Sequence, residues 1–169
     1  DTCHKLGGTA CHAVKGSKTC WATYCGDLAP ALIALRARVK ISGTDGEKCI
    51  PLTELYSGDG AKPHTLAPDQ VLTEIELPPL RPASGGIYLK MRVRKTIDYP
   101  LLGVAVYVTL GDNDDKFEEI TVALTGVEKA PICIDGAEAI KENDSPQKIV
   151  DSIAESAYQS AHPINNTYG

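Results

Sequence analysis

The chain has 169 residues, 43% of them hydrophobic, and a formal net charge of −5. That length holds one domain, or two small ones sharing an interface. The acidic balance argues against nucleic acid or an anionic membrane surface as a partner, and no apolar run approaches the length of a membrane span. The sequence opens within a loop, has its one Met at position 91 and reads as an excerpt of a longer polypeptide.

Residues 1–26 keep neither period 2 nor period 3.6, and Gly7-Gly8, Gly16-Ser17 and Gly26 punctuate them. Four of the six cysteines fall here, Cys3, Cys11, Cys20 and Cys25, with His4 and His12 directly after the first two. A segment with so little apolar material does not order itself, so a metal centre or a partner is expected to hold it. The cysteines cluster at one end, and the rest of the chain has strands enough for a core. A reducing, cytoplasmic setting therefore fits better than a secreted disulfide scaffold. Their spacings of 8, 9 and 5 residues lack the short Cys-x₂₋₄-Cys pairs of zinc sites. Iron–sulfur clusters accept longer and irregular spacings. The repeated Cys-His keeps zinc open, and ordinary packed thiols need no metal at all.

Asp27 reads as the N-cap of a helix in which Leu28, Ala31, Leu32 and Leu35 recur at helical spacing, with Pro30 in its first turn. A carboxylate there is also placed to accept a ligand hydroxyl. Residues 39–42 and 49–52 form a hairpin around Gly43-Thr44-Asp45-Gly46, and 51–56 form one helical turn. Residues 57–69 are a polar loop. Val71, Thr73, Ile75 and Leu77 lie on one face of a strand that Pro78-Pro79 ends, which sets the boundary between two parts near 78–86.

Three strands follow. In the first, Ile87, Leu89, Met91 and Val93 share one face, and Tyr88, Lys90, Arg92 and Arg94 the other. The basic face could hold a diphosphate or an acidic partner, or be a solvated face or one paired with the acidic hairpin beside it, and Arg94 could pair with Asp98. Residues 102–110 are apolar on both faces and read as a central strand. Asp112 to Asp115 forms a hairpin loop into the alternating strand 118–125. Residues 136–142 read as a short helix, and Ser145-Pro146 opens another through Tyr158. The fold class is α+β: a small mixed part, then a three-stranded antiparallel sheet packed on its apolar face with helices. No motif of nucleophilic catalysis and no phosphate-binding loop occurs, so any redox chemistry must come from a bound cofactor.

Five stretches together resemble the flavin-binding subunit of molybdenum hydroxylases. They are Gly26-Asp27-Leu28-Ala29-Pro30-Ala31-Leu32, Ile50-Pro51-Leu52-Thr53-Glu54-Leu55-Tyr56, Pro68 to Pro78, Tyr88-Leu89-Lys90-x-Arg92-x-Arg94-x₃-Asp98, and Ala161-His162-Pro163-Ile164-x-Asn166. The resemblance implies the second half of an FAD-binding (PCMH-type) domain over residues 1–78. Residues 79–169 then form a domain like the C-terminal domain of the CO dehydrogenase flavoprotein. Asp27, Leu72 and Lys90 are implied as FAD contacts, while the first FAD subdomain with its diphosphate-cradling loop is not in this sequence. The Cys-rich start resembles the beta subunit of 4-hydroxybenzoyl-CoA reductase, with Cys3, Cys11 and Cys20 as three ligands of a [4Fe–4S] cluster. The implied partners are a molybdopterin-binding large subunit and a [2Fe–2S] small subunit, in a cytoplasmic enzyme whose substrate site lies on another chain. The competing expectation is a non-catalytic interaction module with a zinc-stabilised N-terminal arm.

Overall fold

The protein is described from a computed structural model, for residues 1–111, 116–140 and 144–165. The expected hairpin loop at Asp112–Asp115, the end of the helix expected over 136–142, and Asn166 lie outside the described residues.

The chain runs from an irregular segment into helix α1 (Leu28–Ala34), strands β1 (Arg38–Gly43) and β2 (Gly46–Pro51), and a 3-10 turn at Leu52–Leu55. Strand β3 (Val71–Glu76) completes an antiparallel sheet in the order β2-β1-β3. A second antiparallel sheet runs in the order β4 (Ser84–Met91), β5 (Leu102–Leu110), β6 (Phe117–Thr125), β7 (Ile132–Asp135), followed by helix α2 (Pro146–Ser160). The α+β architecture with antiparallel sheets is as the sequence predicts. A fourth strand, β7, extends the expected three: Ile132 and Ile134 alternate with Cys133 and Asp135, and pair with Leu124 and Val122 on β6. The helix expected from residue 136 is a 3-10 turn over Gly136–Glu138.

Period 2 in β5 and β6 divides the interior into two cores on opposite faces of one sheet. On one face Ala105, Tyr107 and Ala123 pack with Ile33 and Ala34 of α1, Val39 and Ile41 of β1, and Leu52 and Leu55. This core takes residues from both sides of the Pro78-Pro79 break. On the other face Ile120, Val122 and Leu124 pack against Ile149 and Ile153 of α2, with Val104, Val106 and Val108 at the margin. Helix α2 starts as expected, with the Ser145 hydroxyl accepting from the Lys148 amide at 3.4 Å and Pro146 at the first helical position.

One expectation about burial is corrected. Ile87, Leu89 and Met91 do share the face on which α2 sits, because they stand opposite Val106, Val104 and Leu102. Helix α2 lies over β6 and β7, however, and leaves the β4 row 57%, 60% and 59% exposed. It is the polar face of β4 that turns inward, with Tyr88 packed against the first core. Likewise, Val71 and Ile75 of β3 are exposed, and the strand contributes Leu72 to the core instead.

The Cys-rich segment is anchored at its end. Tyr24 exchanges backbone hydrogen bonds with Gly126 and Glu128, at 2.9 Å each, and its carbonyl also accepts from the Thr125 hydroxyl at 3.2 Å. The Cys20 amide donates to Asp59 at 3.2 Å, and Lys129 lies 4.6 Å over the Trp21 ring. Upstream of Cys20 the backbone bonds mostly to itself, as at Cys3 with Ala10 and Gly8.

Candidate functional site

Asp27 is not the side-chain N-cap of α1. Its backbone is helical and its carboxylate makes no capping bond, because donors from a distant strand take it. Tyr88 and Lys90 are two apart on β4 and so point to the same side. The Tyr88 hydroxyl donates to Asp27 Oδ1 at 2.8 Å, and Lys90 Nζ donates to Oδ2 at 2.7 Å. The tertiary partners win over the local cap because a charge-assisted bond from an ammonium is stronger than one from a neutral backbone amide.

The electrostatics follow from this geometry. Partial burial pushes the Asp27 pKa up, but the hydrogen bonds from Lys90 and Tyr88 and the charges of Lys90 and Arg92 outweigh it and hold the carboxyl below its ordinary value. Burial and the neighbouring carboxylate drive the Tyr88 phenol far upward, so it stays a donor at any physiological pH. Half of the Asp27 side chain remains open to solvent, against 17% of Lys90. Beside the clasp lies an apolar cavity of about 300 Å³ between α1 and the start of β4, walled by Ala31, Ala34, Gly85, Gly86, Tyr88 and Tyr107. A carboxylate acceptor next to an apolar slot has the chemistry to receive a ring that carries N–H or O–H donors.

Of the other residues singled out from sequence, Leu72 is not part of this clasp. It sits on β3 opposite Ile41, half-buried against the first core. The basic face of residues 88–94 divides. Lys90 goes to Asp27, Arg92 donates to the Thr96 carbonyl at 3.1 Å, and Arg94 pairs with Asp98 at 3.2 Å, as the simpler expectation had it. Cys3 and Cys11 are half-buried and Cys20 is buried. Among the described residues no three His, Cys, Asp or Glu side chains converge to hold a metal ion. As placed, the thiols fit neither a cluster nor a zinc site. The Cys11 thiol does receive the Val14 amide at 3.5 Å.

Sequence reasoning named Tyr88 as a member of the basic face and of the stretch 88–98, and missed its bond to Asp27. The signal was its position two residues before Lys90. Gly103 was missed as well: it stands opposite Lys90 on β5, and a Cβ there would lie 2.4 Å from the Tyr88 hydroxyl oxygen.

The comparisons with known proteins cover most of the chain. Residues 6–80 match the family model described as the FAD binding domain in molybdopterin dehydrogenase. Subunit alpha of the 6-hydroxypseudooxynicotine dehydrogenase complex of Paenarthrobacter nicotinovorans is 25% identical over 164 residues, 97% of this chain and 51% of that protein. Among solved structures, a chain of the Hydrogenophaga pseudoflava carbon monoxide dehydrogenase lacking the Mo-pyranopterin moiety superposes with a TM-score of 0.70 and 26% identity. That match covers 85% of this chain and 52% of that one. Quinoline 2-oxidoreductase from Pseudomonas putida 86 shares the fold at a TM-score of 0.67 and 20% identity, over 88% and 50% of the two chains. The chain thus spans about half the length of the relatives it matches.

Proposed function

We propose that the chain is part of the FAD-binding, electron-transfer subunit of a multi-subunit, molybdenum-containing oxidoreductase. Residues 1–78 supply one part of the FAD-binding domain, and residues 79–169 the domain that closes on it. The observation that carries this reading is the clasp. The matched stretch 6–80 contains Asp27, and the residues that address its carboxylate, Tyr88 and Lys90, come from the other part of the chain.

The side chains fit a share of FAD. Asp27 is an ionised acceptor for hydroxyl or ring N–H donors, Lys90 balances its charge, and the neighbouring slot offers an apolar wall to a ring. Bound flavin supplies the electron transfer, and the residues here bind it and orient it. A diphosphate needs a cradle of its own. The chain by itself therefore holds FAD weakly, and titration calorimetry finding micromolar or tighter binding to the 169-residue chain would contradict that.

The finer reading extends to partners and metal. The complete subunit works beside a molybdopterin-binding large subunit and a [2Fe–2S] small subunit in the cytoplasm, where the substrate, an aromatic acyl-CoA or related compound, binds another chain. Cys3, Cys11 and Cys20 serve as thiolate ligands of a [4Fe–4S] cluster. Their irregular spacing and the poverty of apolar residues around them support this, and a fourth ligand must join the three. Their present placement does not, so ligation requires the loop to refold around the metal.

The deciding experiment is fluorescence titration of FAD onto the intact subunit and its Asp27→Ala variant. A loss of tenfold or more in affinity, with the fold intact, is expected; equal affinities would sink the reading.

A further inference from the structure

Tyr88 touches every part of this site. Its hydroxyl holds one oxygen of Asp27 while Lys90 holds the other, and its ring lines the apolar cavity beside them. An ammonium on a four-carbon stem is a flexible pivot, so Lys90 alone fixes where the carboxylate is but not how its plane is turned. A phenol on a strand has two torsions and a rigid ring, and a second hydrogen bond from it sets that plane. The neighbouring strand is shaped for this. Gly103 and Ala105, opposite Lys90 and Tyr88 in register, leave a lane for the ring. A Cβ at Gly103 would meet the Tyr88 hydroxyl oxygen at 2.4 Å and a Thr125 methyl at 2.6 Å.

We infer that Tyr88 is a positioning residue for ligand recognition: its hydroxyl turns the Asp27 carboxylate so that its free lone pairs accept from a neutral N–H or O–H donor of the ligand. The inference rests on the flavin reading above and narrows it to a part of the ligand. A carboxylate has about four lone-pair sites, of which Tyr88 and Lys90 take one on each oxygen. The Asp27 and Lys90 charges cancel at 2.7 Å, and Arg92, whose charge also reaches Asp27, donates to the Thr96 carbonyl at 3.1 Å, so the clasp itself presents no free cation to a diphosphate. The part of the ligand that sits here is therefore an uncharged polyol or a ring edge, with the ring's apolar side toward Gly85 and Gly86.

The groups that face Asp27 are Tyr88 and Lys90 by hydrogen bond and Arg92 by charge. Removing the Tyr88 hydroxyl leaves the two cations in place and takes away one stabiliser of the ionised form, so Asp27 should protonate at a higher pH. A residue that merely filled space would not move that titration.

The test uses Tyr88→Phe, Gly103→Ala and Asp27→Asn in the intact subunit, with two readouts. One is the titration of the Asp27 carboxyl carbon by NMR; the other is FAD affinity as a function of pH. Tyr88→Phe should raise the Asp27 midpoint, weaken FAD about tenfold at pH 7, and move the acid loss of affinity upward. Gly103→Ala, which keeps the hydroxyl but displaces it, should act in the same direction. Asp27→Asn should weaken FAD and abolish the pH dependence. If Asp27→Asn weakens FAD while Tyr88→Phe leaves midpoint and affinity unchanged, the positioning role is overturned and the flavin reading stands. If Asp27→Asn binds FAD like the parent, the flavin reading falls and this inference with it.

Discussion

Asp27 and Lys90 meet at 2.7 Å although 63 residues separate them, and their contact joins the loop ahead of α1 to the edge strand of the second sheet. Because the carboxylate is half exposed, solvent screens the pair and its worth to folding is small. A double-mutant cycle with Asp27→Asn and Lys90→Met should give a coupling of about 0.5 kcal/mol, within the usual range for exposed pairs, that shrinks in 1 M salt. The same cycle read on FAD affinity should show a much larger coupling. Equal couplings in the two readouts would make the pair structural.

Asp98 carries the strongest acid signature. The Arg94 guanidinium, the Arg94 amide and the Tyr99 amide hold its carboxyl down to about 2. A group whose pKa is depressed by folding stabilises the protein above its unfolded value, about 3.9, and loses that contribution as pH falls through the folded one. The stability gap between the parent and Asp98→Asn should therefore be constant above pH 5 and close between about pH 4 and 2. Urea midpoints at half-unit pH steps would show it, and a gap independent of pH would refute the assignment.

The half-covered sheet predicts an asymmetry among apolar substitutions. Ile153 of α2 is 6% exposed and packs into the second core, and a Cβ on Gly136 would sit 2.9 Å from its terminal methyl carbon. Ile153→Ala should cost about 2–4 kcal/mol by chemical denaturation. Leu89, the same kind of side chain on the same face of the sheet, is 60% exposed. Leu89→Lys should change stability by less than about 0.5 kcal/mol in this chain. A large loss there would mean that α2 or another segment reaches β4 in solution.

What could be read in advance divides along the range of the interactions. The strand 102–110 was legible because an apolar residue at nearly every position is a local fact that only a central strand explains. The hairpin of β1 and β2 was legible from its Gly-flanked turn, and α2 from Ser145-Pro146. In β4 the alternation was legible but the buried side was not. Which face turns inward depends on Asp27 lying within reach of Tyr88 and Lys90, and on how far α2 extends across the sheet. The same long-range partners displaced Asp27 from the capping role that local rules assign. Strand β7 has four residues and, among the described residues, pairs with β6 alone, too short for its own period to show. At the site, Asp27 and Lys90 were named and do meet; Tyr88 and Gly103 needed the register of β4 on β5.

The cysteines differ in chemistry as well as in place, and this gives a test of the N-terminal segment that needs no cofactor. Backbone hydrogen bonds from Val14 and Trp21 pull the Cys11 thiol below its ordinary value, whereas burial pushes the half-buried Cys25 up. The thiolate is the nucleophile. At pH 7 iodoacetamide should therefore modify Cys11 ahead of the equally half-buried Cys25, as read by peptide mass spectrometry over a time course. Denaturation removes the amide donors and should level the rates. Amides aimed at a sulfur are also what a metal-bound thiolate requires of its surroundings. In the intact subunit reconstituted anaerobically with iron and sulfide, the proposed cluster should shield Cys3, Cys11 and Cys20 together and leave Cys133 as reactive as before. Cys11→Ser should then lower iron per subunit without unfolding the second sheet, since β4 to β7 draw no core residue from residues 1–19. If Cys11 reacts fastest both with and without iron, the thiol is activated by its loop alone, and the cluster has no support left in this segment.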